Sequence, residues 1–138
     1  MTNWPEVLAP YAHEITLHPG CSEPRLAAAK RILDRTLPQD LHGLYRHTDG
    51  IYDISGQWFS MWRLTDLVSW NLTSWREGPS ERRTLLAFGD DGTGDPFCAS
   101  LDRDPAVYSW SPVSQEATHL ADNLEAFWPG WLSGQIGT

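Results

Sequence analysis

The sequence predicts an α+β fold: one domain across residues 1–138, with an antiparallel β-sheet of about four to six strands flanked by N-terminal helices and a C-terminal helix. Three observations point to it. Helical periodicity fills roughly the first fifty residues, short runs of period two and β-rich composition fill the middle, and an apolar helical stripe returns near the end. Composition agrees, because 41% hydrophobic and 20% charged residues is the balance of a globular chain. At 138 residues there is room for one continuous core. No repeat, low-complexity tract or linker interrupts it.

Thr2 or Asn3 can cap a short first helix that Pro5 enters and that fades by His13. After the break at His18-Pro19-Gly20, Ser22 caps a second helix reaching about Arg35. Leu26, Ala29, Ile32 and Leu33 form its apolar face. Leu37-Pro38 stops that helix and Pro38 opens a third, carrying Leu41, Leu44 and Tyr45, with Asp49-Gly50 as its left-handed exit.

Residues 57–63 alternate Trp58, Ser60, Trp62 against Phe59, Met61, Arg63, the pattern of a strand with Trp58 and Trp62 on one side. Thr65-Asp66 restarts a helix on which Val68, Leu72 and Trp75 share a face. Residues 84–88 and 97–101 read as antiparallel neighbours across the turn Gly89 to Asp95, followed by strands at 106–110 and 117–120. A last helix from about Asp122 sets Leu124, Phe127, Trp128 and Trp131 toward the core, and Pro129 is expected to kink or split it. Eight tryptophans is a high count for this length. Most belong in the core, where an indole supplies much apolar area, and a few are left for a contact surface.

Ten basic against 18 acidic residues give a formal net charge of −8. Phosphate backbones and anionic membranes select the opposite sign, so neither nucleic acid nor a membrane is an expected partner. A basic protein is. The first residues, MTNWPEVLAPY, show no basic region followed by an apolar run, so no export signal is read and a cytoplasmic location is expected. Cys21 and Cys98, far apart in the chain, then read as reduced thiols.

The motifs that could carry chemistry each meet a plainer explanation. Asp90, Asp91 and Asp95 offer hard oxygen ligands for Ca²⁺ or Mg²⁺, or paired acids for proton transfer. An EF-hand counted from Asp90 needs glutamate where this chain has Leu101, and no Lys-Ser/Thr pair makes the run a phosphate loop. The plainer reading is a tight turn whose glycines take positive φ and whose aspartates bond local amides. His13 and His18 flank Glu14 to Leu17 but stand five apart, roughly 140° around a helix, whereas a zincin needs them four apart. His42 and His47 repeat that spacing. Cys21 precedes a helix, where a thiol pKa can be lowered, but the sequence supplies no base beside it; Cys98 sits inside a strand as a small hydrophobe. Asn71-Leu72-Thr73 has the form of a glycosylation sequon, without meaning in a chain that is not secreted. No catalytic residue, metal ligand or cofactor motif is assigned.

Leu37 to Leu41, Leu44-Tyr45 and Thr48-Asp49-Gly50 together resemble the N-terminal signature of the SUKH (Smi–Knr-like) superfamily. The run from Leu85 to Cys98 resembles its central hairpin, and Val107 to Trp110 with Leu120 to Phe127 resembles its last strands and closing helix. The likeness runs from about Ser22 to Trp131, and Pro129 departs from the usual pattern. The resemblance implies an antiparallel sheet flanked by helices, no shared catalytic residues, and a protein-binding role. Bacterial members are commonly immunity proteins that neutralise toxins of contact-dependent or polymorphic systems; fungal relatives are scaffolds in cell-wall regulation. On this basis Asp90, Asp91 and Asp95 are the expected contact residues, with Trp58 and Trp62 as aromatic anchors. The alternatives are a cellular scaffold module and a metal-dependent hydrolase built on the three aspartates.

Overall fold

The computed structural model describes residues 2–54, 58–102 and 104–137. Helix α1 (Trp4–Leu8) is capped by Asn3, whose Oδ1 accepts from the Glu6 N–H at 3.2 Å, and passes into a 3-10 turn at Ala9–Tyr11. Helix α2 (Glu23–Leu33) is capped by Ser22 and leaves through Asp34 at φ 53°, and helix α3 (Gln39–His47) follows Pro38. Then come the long helix α4 (Leu64–Glu77) and the closing helix α5 (Leu124–Leu132), capped by Asn123. Pro129 does not split α5. It removes one N–H near mid-helix, and the exit is held by bonds from Ser133 to Pro129 and from Ile136 to Gly130.

Among the described residues the strands form one antiparallel sheet of seven in sequence order: β1 (Ile15–Leu17), β2 (Ile51–Asp53), β3 (Trp58–Met61), β4 (Leu85–Asp90), β5 (Pro96–Ser100), β6 (Val107–Ser111) and β7 (Glu116–Ala121). This is one more than the upper end of the expected range, because β1 and β2 are three-residue strands outside the anticipated set. Gln57, expected to open the third of these strands, lies outside the described residues.

The sheet has two unlike faces. Leu86, Phe88, Phe97, Ala99 and Val107 join apolar residues of all five helices in the main core. Its aromatic centre packs Phe97 against Phe127 at 4.8 Å and Trp131 at 4.9 Å. On the other face Leu85, Ala87, Cys98 and Trp110 form a second, smaller cluster with Trp62 and Tyr108 packed on it. The expected apolar faces need two corrections. Ile32 is exposed, and α4 buries Leu64, Leu67, Asn71 and Trp75 while Leu72 faces out. The buried stripe is thus rotated toward Asn71, a polar residue that apolar periodicity does not count.

Asn71 is buried because it does the work of a strand. β3 pairs with β4 only at Met61–Gly89, and the Trp62 N–H adds one bond to the Phe88 carbonyl. A Cβ on Gly89 would lie 1.8 Å from the Ser60 carbonyl oxygen, so glycine permits even that approach. Beyond it, among the described residues, that flank of β4 has no neighbouring strand. There the Asn71 amide donates to the Ala87 carbonyl at 2.7 Å, and its Oδ1 accepts from the Ala87 N–H at 2.9 Å. Trp75 Nε1 and Arg82 Nη1 both donate to the Leu85 carbonyl, and Arg82 Nη2 donates to Asn71 Oδ1. Helix α4 therefore lies where β3 would have continued. The same burial disposes of the sequon, since the Asn71 amide is enclosed and fully engaged.

A second buried polar joint sets where α4 begins. Asp49, 1% exposed, accepts from the Leu64 N–H at 2.7 Å and pairs with Arg25 at 3.3 Å and Arg63 at 3.2 Å. Tyr45 reaches the Trp62 carbonyl from α3 at 2.6 Å, and Gly50 turns the chain at φ 104°. Burial pushes the Asp49 carboxyl up, but the Leu64 N–H, the Cys21 thiol and the Arg25 guanidinium outweigh it and hold the group below the ordinary range of an aspartate.

Replacing Asn71 by alanine strands two backbone groups of β4, and equilibrium denaturant unfolding should show a loss of about 3 kcal/mol. For Asp49→Asn, which keeps an acceptor for Leu64 but loses the charge facing two half-exposed arginines, the expected loss at pH 7 is about 1–2 kcal/mol. Because the folded carboxyl sits below its unfolded value of about 3.9, its stabilisation is complete above that pH and fades as pH falls through the folded value. Unfolding measured from pH 7 to pH 2 should show the gap between Asp49→Asn and the parent closing below about pH 4.

Candidate functional site

The β4–β5 hairpin carries the turn that the sequence singled out, and a bulge aims it. Ala87 pairs with Cys98 and Gly89 with Phe97, which leaves Phe88 as an extra residue and reverses the alternation after it. Without the bulge, Asp90 would follow Leu86 and Phe88 into the main core. With it, Asp90 pairs with Pro96 and turns to the opposite face. There its Oδ2 accepts from Trp62 Nε1 at 2.9 Å and its Oδ1 from the Gly92 N–H at 2.7 Å, while Trp58 Nε1 donates to its carbonyl at 3.3 Å. Trp58, Trp62 and Asp90 thus converge, although β3 does not keep the strict alternation expected of it: Ile51 pairs with Met61 and Tyr52 with Phe59, which leaves Ser60 as an extra residue, and Trp62 lies just beyond the strand.

The other expected residues are placed differently. Asp91 is buried, and its Oδ1 accepts from both the N–H and the hydroxyl of Thr93, so it shapes the turn from within instead of projecting from it. Asp95 is half-buried, and its carbonyl accepts from the Asp91 N–H. Trp58 lies over Gly92, where an added Cβ would sit 3.2 Å from its Cζ2; it props the turn. Gly92 and Gly94 take φ 87° and 107°, as a glycine-rich turn requires.

Trp62 and Asp90 line a groove of about 430 Å³ on the open sheet face. One wall is helix α4, through Trp70 and Ser74; the floor is Trp110; Pro79, Pro96 and Pro112 lie around the rim. The Trp70 indole is 57% exposed and stands 6.0 Å from that of Trp62, ring centre to ring centre. Phe97 opposite Ser109 sets Pro96 beside Trp110, so Asp90, Pro96 and Trp110 form one row across three strands. Trp70 and Trp110 were missed as site residues. The available signal was that Trp70 stands roughly 140–160° around α4 from Val68, Leu72 and Trp75, the face expected to be apolar.

The remaining chemical candidates resolve into structure. Burial pushes the Cys98 thiol up to about 12, and burial followed by the nearby Asp49 charge does the same for Cys21. The lowered thiol pKa considered for Cys21 is therefore corrected: burial first, and then the carboxylate beside it, push the thiol up despite its place before α2. His13 and His18 flank strand β1 and share no helix face, while His42 meets Glu23 at 3.2 Å on the surface. Among the described residues no group of three or more His, Cys, Asp or Glu side chains is placed to hold a metal ion. Also among them, no helix is long and apolar enough to cross a membrane.

No curated protein matches this chain. The model of the SMI1 / KNR4 family (SUKH-1) matches residues 20–129, from just before α2 to within α5, and so takes in helices α2 to α4, strands β2 to β7 and both walls of the groove. The chain belongs to the SMI1 / KNR4 family (SUKH-1).

Proposed function

We propose that the protein is a non-enzymatic binding module of the cytoplasm, an immunity protein that grips and neutralises a toxin by docking it on the open face of the sheet. The carrying observation is the groove beside Asp90: an exposed indole, a half-buried one and a carboxylate held from two sides, on the sheet face that carries the smaller cluster, with α4 as one wall. Aromatic anchors surrounded by water-excluding neighbours are what protein interfaces use for affinity. Contact falls to Trp62 and Asp90, with Asp95 beside them, while Trp58 and Asp91 keep the turn in shape. Two facts support a non-catalytic role: family membership, and thiols whose pKa values are raised by burial. The formal charge of −8 favours a basic partner and steers it in, so binding should weaken with salt.

A scaffold role toward a resident cellular protein uses the same surface, and fungal members of the superfamily give it precedent. The hydrolase alternative has no arrangement in its favour, since Asp91 is turned inward on Thr93.

Co-expression with the toxin encoded beside the gene tests the reading. Growth should resume when the protein is present, and the purified pair should dissociate more readily as salt rises. Arrest that the protein leaves unrelieved contradicts the immunity role, and capture of a resident partner with no toxin gene nearby favours the scaffold.

A further inference from the structure

The groove has a chemical polarity that specifies what part of a partner enters it. Its lining holds three charged residues, Glu77, Arg82 and Asp90. Arg82 is buried at one end, its Nη1 on the Leu85 carbonyl and its Nη2 on Asn71. Asp90 stands five residues further along β4, so roughly 15 Å separate the two on an extended strand with one bulge. The positive charge is thus confined to the end where α4 finishes, beside Glu77, and the Asp90 end is free of it.

At the Asp90 end three indoles gather. Trp62 donates to the carboxylate, Trp70 packs on Trp62, and Trp110 lies in the row Asp90, Pro96, Trp110. A carboxylate fixed by two donors retains further lone pairs for an incoming donor, and indole faces attract a cation through their quadrupole. Neutral ligands use only the apolar part of such a site, and anions are repelled by Asp90. A planar guanidinium uses all of it: its flat faces stack on indole and its edge offers a fork of donors to the carboxylate.

Resting on the reading of this face as the docking surface, we infer that the groove is an arginine-reading site. It receives an extended basic segment of the partner, with one guanidinium seated among Trp62, Trp70 and Trp110 against Asp90. The length fits, since roughly 15 Å holds four to five residues of extended chain. The chain's net charge of −8 supplies the long-range complement to a basic segment.

The test titrates the whole protein with a synthetic peptide of alternating arginine and glycine, alongside its citrulline counterpart, which keeps the shape and removes the charge. The readout is the indole N–H signals in ¹⁵N-labelled protein, assigned by single Trp→Phe variants. The arginine peptide should move the Trp62, Trp70 and Trp110 signals saturably, and citrulline should bind at least roughly tenfold more weakly. Trp70→Ala, at an exposed position, should weaken the arginine peptide by about fivefold or more while leaving the melting temperature near the parent's. Asp90→Asn, which keeps one acceptor where Trp62 and Gly92 use two, should weaken it at least as much and lower the melting temperature somewhat. Unmoved signals at those three indoles, equal binding of citrulline, or full affinity in both variants overturns the inference. A cognate toxin that binds both variants as tightly as the parent also overturns it, yet leaves the binding-module reading intact. Loss of toxin binding by the parent itself defeats that reading whatever the peptide does.

Discussion

The amide of Asn71 lies at the centre of this molecule's design, because it lets a helix take the place of a strand. β3 is too short to cover β4, and an uncovered run of backbone in the middle of a sheet would cost several kcal/mol and invite pairing with another chain. Asn71 offers Ala87 one donor and one acceptor, as a neighbouring strand would. Arg82 and Trp75 then satisfy the Leu85 carbonyl. These bonds place α4 alongside β4, and that placement makes the wall of the groove. With α4 packed wholly into the main core, Trp70 would have no sheet face to overlook.

Asp49 works toward the same end from the other side. It bonds the first N–H of α4 and gathers Arg25 from α2 and Arg63 from the approach to α4. The Thr48-Asp49-Gly50 run, which carried part of the family resemblance, is thus a joint between helices and does not line the groove. A buried carboxylate that is paired and bonded in this way specifies one arrangement of the elements around it. Removing the Asp49 carboxylate would disturb the start of α4, and removing the Asn71 amide would also release Arg82, which lines the groove.

How much of this was written legibly in the chain follows from how local each signal is. Helices α2, α3 and α5 announce themselves through caps and apolar spacing, and the β4–β5 hairpin through its glycines. β1 and β2 do not, because three residues cannot display a period and their pairing joins segments far apart in sequence. Asn71 misled the assignment of the α4 face, since its burial depends on a strand edge that exists only once the sheet has formed. The bulge at Phe88 was equally silent, yet it decides that Asp90 faces outward. Trp62 and Asp90, both singled out in the sequence, meet in a hydrogen bond; Trp110, buried in the smaller cluster, also floors the groove, and the inward turn of Asp91 depended on a bond to Thr93 that sequence does not rank.

The result is a sheet with a proposed division of labour: one face is buried under helices, and the other carries an aromatic groove with a held carboxylate, which we propose serves recognition. Hydrogen–deuterium exchange of the protein alone and in complex with its cognate partner examines that division directly. Slowed exchange confined to the Trp62–Trp70 segment, the Asp90–Pro96 turn and the stretch around Trp110 to Gln115 is the outcome this account predicts. Protection over α1, α3 and α5 with the groove unchanged would contradict it.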